Sequence, residues 1–264
     1  MSIQLIGIPF DLKSSFIKGS AKGPDSIRKV LHEGSSSYLD EEGRDIIKDC
    51  GLIDEGNVAA KSFDDLYSSV CSLLKKDHQV LFLGGDHSIS YPLVKALQAK
   101  VGKFDLLHFD AHTDLYDEYE GDRYSHACPF ARIMEEGLVE SLTQVGIRTM
   151  NKHQQEQVSR FGVEVITMKE IQRLPELYFK NPLYISVDLD VFDPAYAPGV
   201  SHHEPGGLNP RQVITIIQEL NCPIIGADIV ELNPLRDQYD ITAALAAKLL
   251  KEICGKMYAN IAAI

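Results

Sequence analysis

The chain reads as an α/β fold, a three-layer α/β/α sandwich built on a mostly parallel central sheet, and three features lead to that reading. Short apolar runs alternate with amphipathic stretches from one end to the other. Most of those runs are continuously hydrophobic instead of alternating with polar residues, as expected of parallel strands covered on both faces. Strand then helix, repeated about seven times, places helices on both sides of such a sheet. No linker, low-complexity tract or internal repeat interrupts the 264 residues, so residues 1–264 read as one domain.

In chain order, strands are expected at residues 3–8, 79–83, 104–109, 142–147, 163–167, 183–187 and 224–230. Between them, residues 63–74 carry Phe63, Leu66, Val70 and Leu73 on one helical face, with Ser62 placed to cap the first turn. Residues 88–98 repeat the pattern with Ile89, Leu93, Ala96 and Leu97. The last helix has Ile241, Leu245, Leu249 and Ile253 in one stripe. In open parallel sheets, sites form where strands end and loops begin.

Composition narrows the function. The formal net charge is −12, from 38 acidic and 26 basic residues, which argues against nucleic acid or an anionic membrane as partner. Five scattered cysteines (Cys50, Cys71, Cys128, Cys222 and Cys254) with no CxxC pair read as reduced thiols, and with no leader-like start the expected location is cytoplasmic. No apolar run approaches the roughly 20 residues of a membrane-spanning helix.

Three clusters carry chemistry, each at an expected strand end. Gly84-Gly85-Asp86-His87 lets the backbone turn sharply and brings out a histidine; alone it fits an ordinary loop as well as a ligand. In His108-Phe109-Asp110-Ala111-His112-Thr113-Asp114 the spacing of two puts Asp110, His112 and Asp114 on one side of an extended segment. A solvated acidic loop is the alternative, but this run leaves an apolar strand where unpaired carboxylates are costly. Asp188-Leu189-Asp190 again places two carboxylates on one face, although an isolated DxD also suits a turn. Together they give two histidines and four aspartates, whose mutual repulsion two divalent cations would cancel. Oxygen-rich donors with two imidazoles and no thiolate favour an ion such as Mn²⁺ over structural zinc. A centre of this kind activates water toward an electrophilic carbon.

GGDH, DAHTD and DLDVFDP, in this order and spacing, resemble the signatures of the ureohydrolases, the arginase/agmatinase family, and the similarity runs over nearly the whole chain. The resemblance implies two Mn²⁺ ions per chain, one bound by His87 and Asp114 and the other by His112 and Asp190, with Asp110 and Asp188 bridging both. It implies that Glu231 pairs with the guanidinium of a small cationic substrate and that His126 acts as acid/base toward the leaving amine. For these two the plain alternatives are a surface glutamate and an inconsequential histidine at a helix start. His108 matches no family ligand and reads as a support behind the ligands. A homo-oligomer, trimer or hexamer, is also implied.

Substrate choice within that family rests on departures from the arginase pattern. Arginases carry an asparagine two residues beyond the last aspartate of DAHTD and an aspartate soon after the GxR strand; here those places hold Tyr116 and Thr149-Met150-Asn151. Agmatine, cleaved to putrescine and urea, is therefore the expected substrate, with Asp117, Glu118, Glu120 and Asp122 available for its terminal ammonium. Formimidoylglutamate or another guanidino compound, arginine, and a mononuclear zinc deacetylase-like chemistry are the alternatives. Ser201-His202-His203-Glu204-Pro205 replaces the Gly-Thr-Pro of many members in a loop bordering the substrate cavity, and leaves the roles of His202 and His203 open.

Overall fold

The computed structural model describes residues 2–34, 36–60, 62–75, 77–171 and 177–262. Eight strands form one sheet: β1 (Ile3–Gly7), β2 (Leu52–Asn57), β3 (Gln79–Leu83), β4 (Asp105–Phe109), β5 (Ser141–Ile147), β6 (Glu164–Thr167), β7 (Leu183–Asp188) and β8 (Ile224–Val230). Their order is β2-β1-β3-β8-β7-β4-β5-β6, and every neighbouring pair runs parallel. All seven expected strands are present within a residue or two.

The eighth, β2, was not among them, and its sequence shows why. Leu-Ile-Asp-Glu-Gly-Asn buries only its first residue, because an edge strand has one neighbour and one open side. Its charge is used locally: the Arg28 guanidinium donates to both Asp54 oxygens at 2.8 and 2.9 Å. The apolar-run rule finds covered strands and passes over such an edge.

Side-chain alternation divides the core into two halves. Leu81, Leu83, Leu107, Phe109, Ile185 and Val187 point to the face covered by α1 (Gly23–His32), α6 (Pro210–Glu219) and α7 (Ile241–Ala262). Val80, Phe82, Leu106 and Tyr184 point to the other, covered by α2 (Phe63–Leu73), α3 (Ser90–Val101), α4 (Pro129–Glu135) and α5 (Lys152–Phe161). Both faces of the central strands are therefore apolar, as the continuous hydrophobic runs require. Ser62 caps α2 in a reciprocal pair with Asp65, and the helix expected from residue 88 opens as a short 3₁₀ turn, His87–Ile89, before α3. All five cysteines remain free thiols.

Gly85, at the exit from β3, packs directly on another backbone. A Cβ there would lie 1.9 Å from the Phe10 carbonyl oxygen, which itself accepts from the Asp86 N–H at 2.8 Å. Gly85→Ala is expected to destabilise the chain by about 1–3 kcal/mol or more, because neither backbone can retreat without breaking that bond. Urea unfolding at matched metal content checks it; an unchanged midpoint and slope would show that the two segments are free to separate.

Candidate metal centre

The centre sits at the carboxyl ends of four adjacent strands in the middle of the sheet, β3, β8, β7 and β4. β3 runs into Gly84-Gly85-Asp86-His87, β4 into Asp110–Asp114, β7 ends on Asp188 and turns through a 3₁₀ segment containing Asp190, and β8 is followed by Glu231. Two of these residues have backbones in the left-handed region that favours glycine, Asp114 at φ 49° and Glu231 at φ 65°. Non-glycine residues are held there only when their surroundings fix them, and such positions cluster at functional sites.

His87 is fully buried, and its Nδ1 lies 3.3 Å from Asp110, 3.2 Å from Asp114 and 3.1 Å from Asp188, measured to carboxylate oxygens. None of the three is aligned as a hydrogen bond, so Nδ1 is an unpartnered buried nitrogen facing three carboxylates. Its other nitrogen is accounted for. Ser186 Oγ donates to Asp228 Oδ1 at 2.6 Å, so the Nε2 contact to Ser186 at 3.0 Å has Nε2–H donating. Asp228 is held in turn by Tyr184 Oη at 2.8 Å and Ser90 Oγ at 2.9 Å. In the neutral ring this leaves the Nδ1 lone pair directed at negative oxygens, an arrangement that makes sense around a cation.

The second half repeats the theme. His112 Nδ1 lies 3.1 Å from Asp190 and 3.4 Å from Asp110. Asp110 thus stands between two groups of donors, one including His87 and the other containing His112 and Asp190. His108 is fully occupied: Nε2 donates to Asp110 Oδ2 at 2.8 Å, Nδ1 meets Gln144 Nε2 at 3.0 Å, and the ring stacks on Phe130 at 3.8 Å. It orients Asp110.

The charges are not at rest without cations. Burial, then the charges of Asp190 and Asp110, push the Asp188 carboxyl well above its ordinary range, and burial with the Asp110 charge pushes Asp190 up to about 6. Burial opposes the His87 imidazolium, yet its three carboxylates outweigh that and raise it well above the usual value. Divalent ions among these groups would favour the ionised carboxylates and the neutral imidazoles. The donors therefore fit a pair of hard-to-borderline cations.

Glu231 adjoins this cluster. Its Oε1 accepts from the His87 backbone N–H at 2.9 Å and lies 3.2 Å from His126 Nδ1. Burial opposes the charged His126 ring, but the Glu231 carboxylate wins and lifts it to about 9. The site thus combines a carboxylate-rich cation cradle, an ionised glutamate and a protonated imidazole around one cavity.

The family described as Arginase family matches residues 1–255. The chain belongs to the arginase family. It is 44% identical to "Arginase 1, mitochondrial" of Arabidopsis thaliana over 97% of this chain and 81% of that one. It is 33% identical to an agmatinase of Bacillus cereus, over 95% and 90%. Among solved structures, the arginase from Medicago truncatula superposes with a TM-score of 0.92 at 42% identity, covering 97% of this chain and 87% of that one. As an arginase-family protein it is a hydrolase acting on C–N bonds of linear amidines, in a family that depends on a binuclear metal centre.

In this arginase-family chain the centre opens into a cavity of about 220 Å³. Of the SHHEP loop, His202 turns inward, its ring stacked 5.4 Å from His126 and tilted against Phe16 at 5.5 Å, whereas His203 turns away to the Pro198 carbonyl and Arg236. The acidic residues expected to meet a substrate ammonium are elsewhere: among the described residues lining the cavity, none is Asp117, Glu118, Glu120 or Asp122. Asp117 pairs with Arg123 and Arg132, and Asp122 with Lys13. Asn151 caps α5 and donates to Tyr116 Oη at 2.6 Å. Ser15, Ser186, Asp228 and Gln154 were not singled out from sequence. Ser186 shares the two-residue parity of Asp188, and Asp228 is an acid inside an apolar strand, so both left a signal; Ser15 and Gln154 left none. Arg148 ties the loops together by donating to the Asp190 and Glu204 carbonyls at 2.5 and 2.6 Å.

Among the described residues no helix is long and apolar enough to cross a membrane.

Proposed function

We propose that the chain hydrolyses L-arginine to ornithine and urea with two metal ions, Mn²⁺ by preference. His87 and Asp114 would hold one ion, His112 and Asp190 the other, and Asp110 and Asp188 would bridge them. When bound, the ions supply the Lewis acidity that makes water a nucleophile at neutral pH. Glu231 accepts the guanidinium through a charge-assisted pair and fixes its carbon over the centre. His126, kept protonated by Glu231, supplies the proton for the nitrogen that leaves when the C–N bond breaks.

The observation that carries arginine over agmatine is the wall of the cavity. Beyond the acids of the centre and the imidazoles of His112, His126 and His202, the polar groups there are hydroxyls and an amide: Ser15, Tyr116, Tyr119, Thr149, Gln154 and Ser201. Agmatine ends in a lone ammonium, for which this wall offers no carboxylate beyond those of the centre, whereas an α-amino acid head also presents a carboxylate that hydroxyl and amide donors can bind. The arginases of Medicago truncatula and Arabidopsis thaliana, at 43% and 44% against 33% for the agmatinase, point the same way. The agmatine expectation rested on the lack of an asparagine and an aspartate at two family positions; Tyr116 and Thr149, which stand there, are themselves among these neutral groups.

With Mn²⁺ loaded, kcat/KM for L-arginine is expected to exceed that for agmatine by roughly 10²-fold or more, since partners of the head group, the buried Gln154 and Ser201 among them, go unpaired with agmatine. A ratio favouring agmatine overturns the substrate and leaves the metal chemistry standing.

A further inference from the structure

Both ring nitrogens of His126 are taken up by protein. Nδ1 faces Glu231 at 3.2 Å, and Nε2 lies 2.8 Å from Ser15 Oγ. A protonated His126 therefore directs neither N–H straight at a substrate, yet Ser15 is itself part of the cavity wall. We propose that the Ser15 hydroxyl relays the proton from His126 Nε2 to the leaving nitrogen, an inference that rests on the reading of His126 as the acid.

The chemistry of the hydroxyl suits the place. A carbonyl or carboxylate can only accept, whereas a serine hydroxyl accepts and donates together and rotates to do so. As the C–N bond breaks, its electron pair stays on the leaving nitrogen, which takes the Ser15 Oγ proton. Oγ in the same step takes the Nε2 proton. The hydroxyl ends with one proton as it began, and the ring ends neutral with Nδ1–H on an ionised Glu231. No other reactant is needed.

The loop that carries Ser15 is pinned for this purpose. The Lys13 N–H donates to Asp86 at 2.9 Å, the Lys13 carbonyl accepts from the His126 N–H at 3.3 Å, and the Lys13 ammonium pairs with Asp122 at 2.7 Å. On the far side Gly19 N–H donates to Asp11 at 2.7 Å. His202 lies against the His126 ring with an interplanar angle of 28° and hinders its rotation. With the ring so held, delivering its proton through a neighbouring hydroxyl needs less motion than turning the ring.

The test compares Ser15→Ala, Ser15→Thr and His126→Asn in the Mn²⁺-loaded protein, on whichever of arginine and agmatine it turns over faster. Ser15→Ala is expected to lower kcat roughly 10–10²-fold, part of the 10²–10⁴ attributable to general acid catalysis, with KM nearly unchanged. Ser15→Thr should recover most of the loss. In mixtures of light and heavy water, kcat should follow a bowed curve for the native chain, with two protons in flight, and a straight line for Ser15→Ala. Bound metal and melting temperature serve as controls that a merely structural role would disturb. Wild-type kcat and a bowed curve in Ser15→Ala, alongside an inactive His126→Asn, would remove the relay and leave His126 as the acid. Full turnover in His126→Asn would remove the acid reading and the relay with it.

Discussion

Asp188→Asn is expected to empty both metal positions together and to lower kcat/KM on the order of 10³-fold or more, about 4 kcal/mol of transition-state stabilisation. Asp188 closes on His87 Nδ1 at 3.1 Å and lies within the charge field of Asp190 and Asp110, so its loss is felt on both sides of the centre. Stability should move in two directions. Without metal, the variant has one fewer buried carboxylate in a repelling cluster and should melt above the metal-free native chain. With Mn²⁺ added, the native chain should gain strongly in melting temperature and the variant hardly at all, because only a state that binds metal is stabilised by it. Elemental analysis with thermal melts at both metal levels decides this. Retention of one tightly held ion with a normal melting gain would mean that Asp188 serves a single position.

Glu231→Gln is expected to leave the metals bound while lowering kcat/KM by roughly 10²–10³-fold, the scale of losing a buried charge-assisted pair with the guanidinium. It carries a second signature in pH. Glu231 is what lifts His126 to about 9, against the opposing effect of burial. A raised pKa keeps the proton on the ring below that value, and activity that needs the proton is lost as pH rises through it. Removing the glutamate charge lowers the pKa, so the alkaline limb of kcat should move to lower pH in Glu231→Gln. His126→Asn should remove that limb altogether. An unmoved limb in Glu231→Gln would separate the two residues and assign the limb to another group.

How much of this was legible in the sequence depended on whether a feature was local. His87, Asp110, His112, Asp114, Asp188 and Asp190 follow apolar strands at fixed parity, and parity with strand order brings them together. Family resemblance added expectations that parity could not carry, the pairing of ligands and the parts of Glu231 and His126, which stand here as proposals. β2 was hidden because an edge strand's exposed charges erase the apolar signal. The acids Asp117 and Asp122 misled because a carboxylate in sequence carries no sign of the cation it pairs with, here Arg123, Arg132 and Lys13. Ser15 lies 111 residues from the His126 it contacts, and a serine in a polar loop has no periodicity to mark it.

The placement of the centre on β3, β8, β7 and β4 also divides the chain by its freedom to change. Two strands, β1 and β2, lie on one flank, and β5 and β6 on the other, so the margins of the sheet stand at least one strand away from any candidate ligand. Length changes, new charges or surface partners acquired at β2 or β6 leave the spacing of the metal-facing residues untouched. At the middle, by contrast, a one-residue slip in any of four strands would turn His87 or a carboxylate away from the site. The margins are where this scaffold can diverge, and the centre is where drift is lethal.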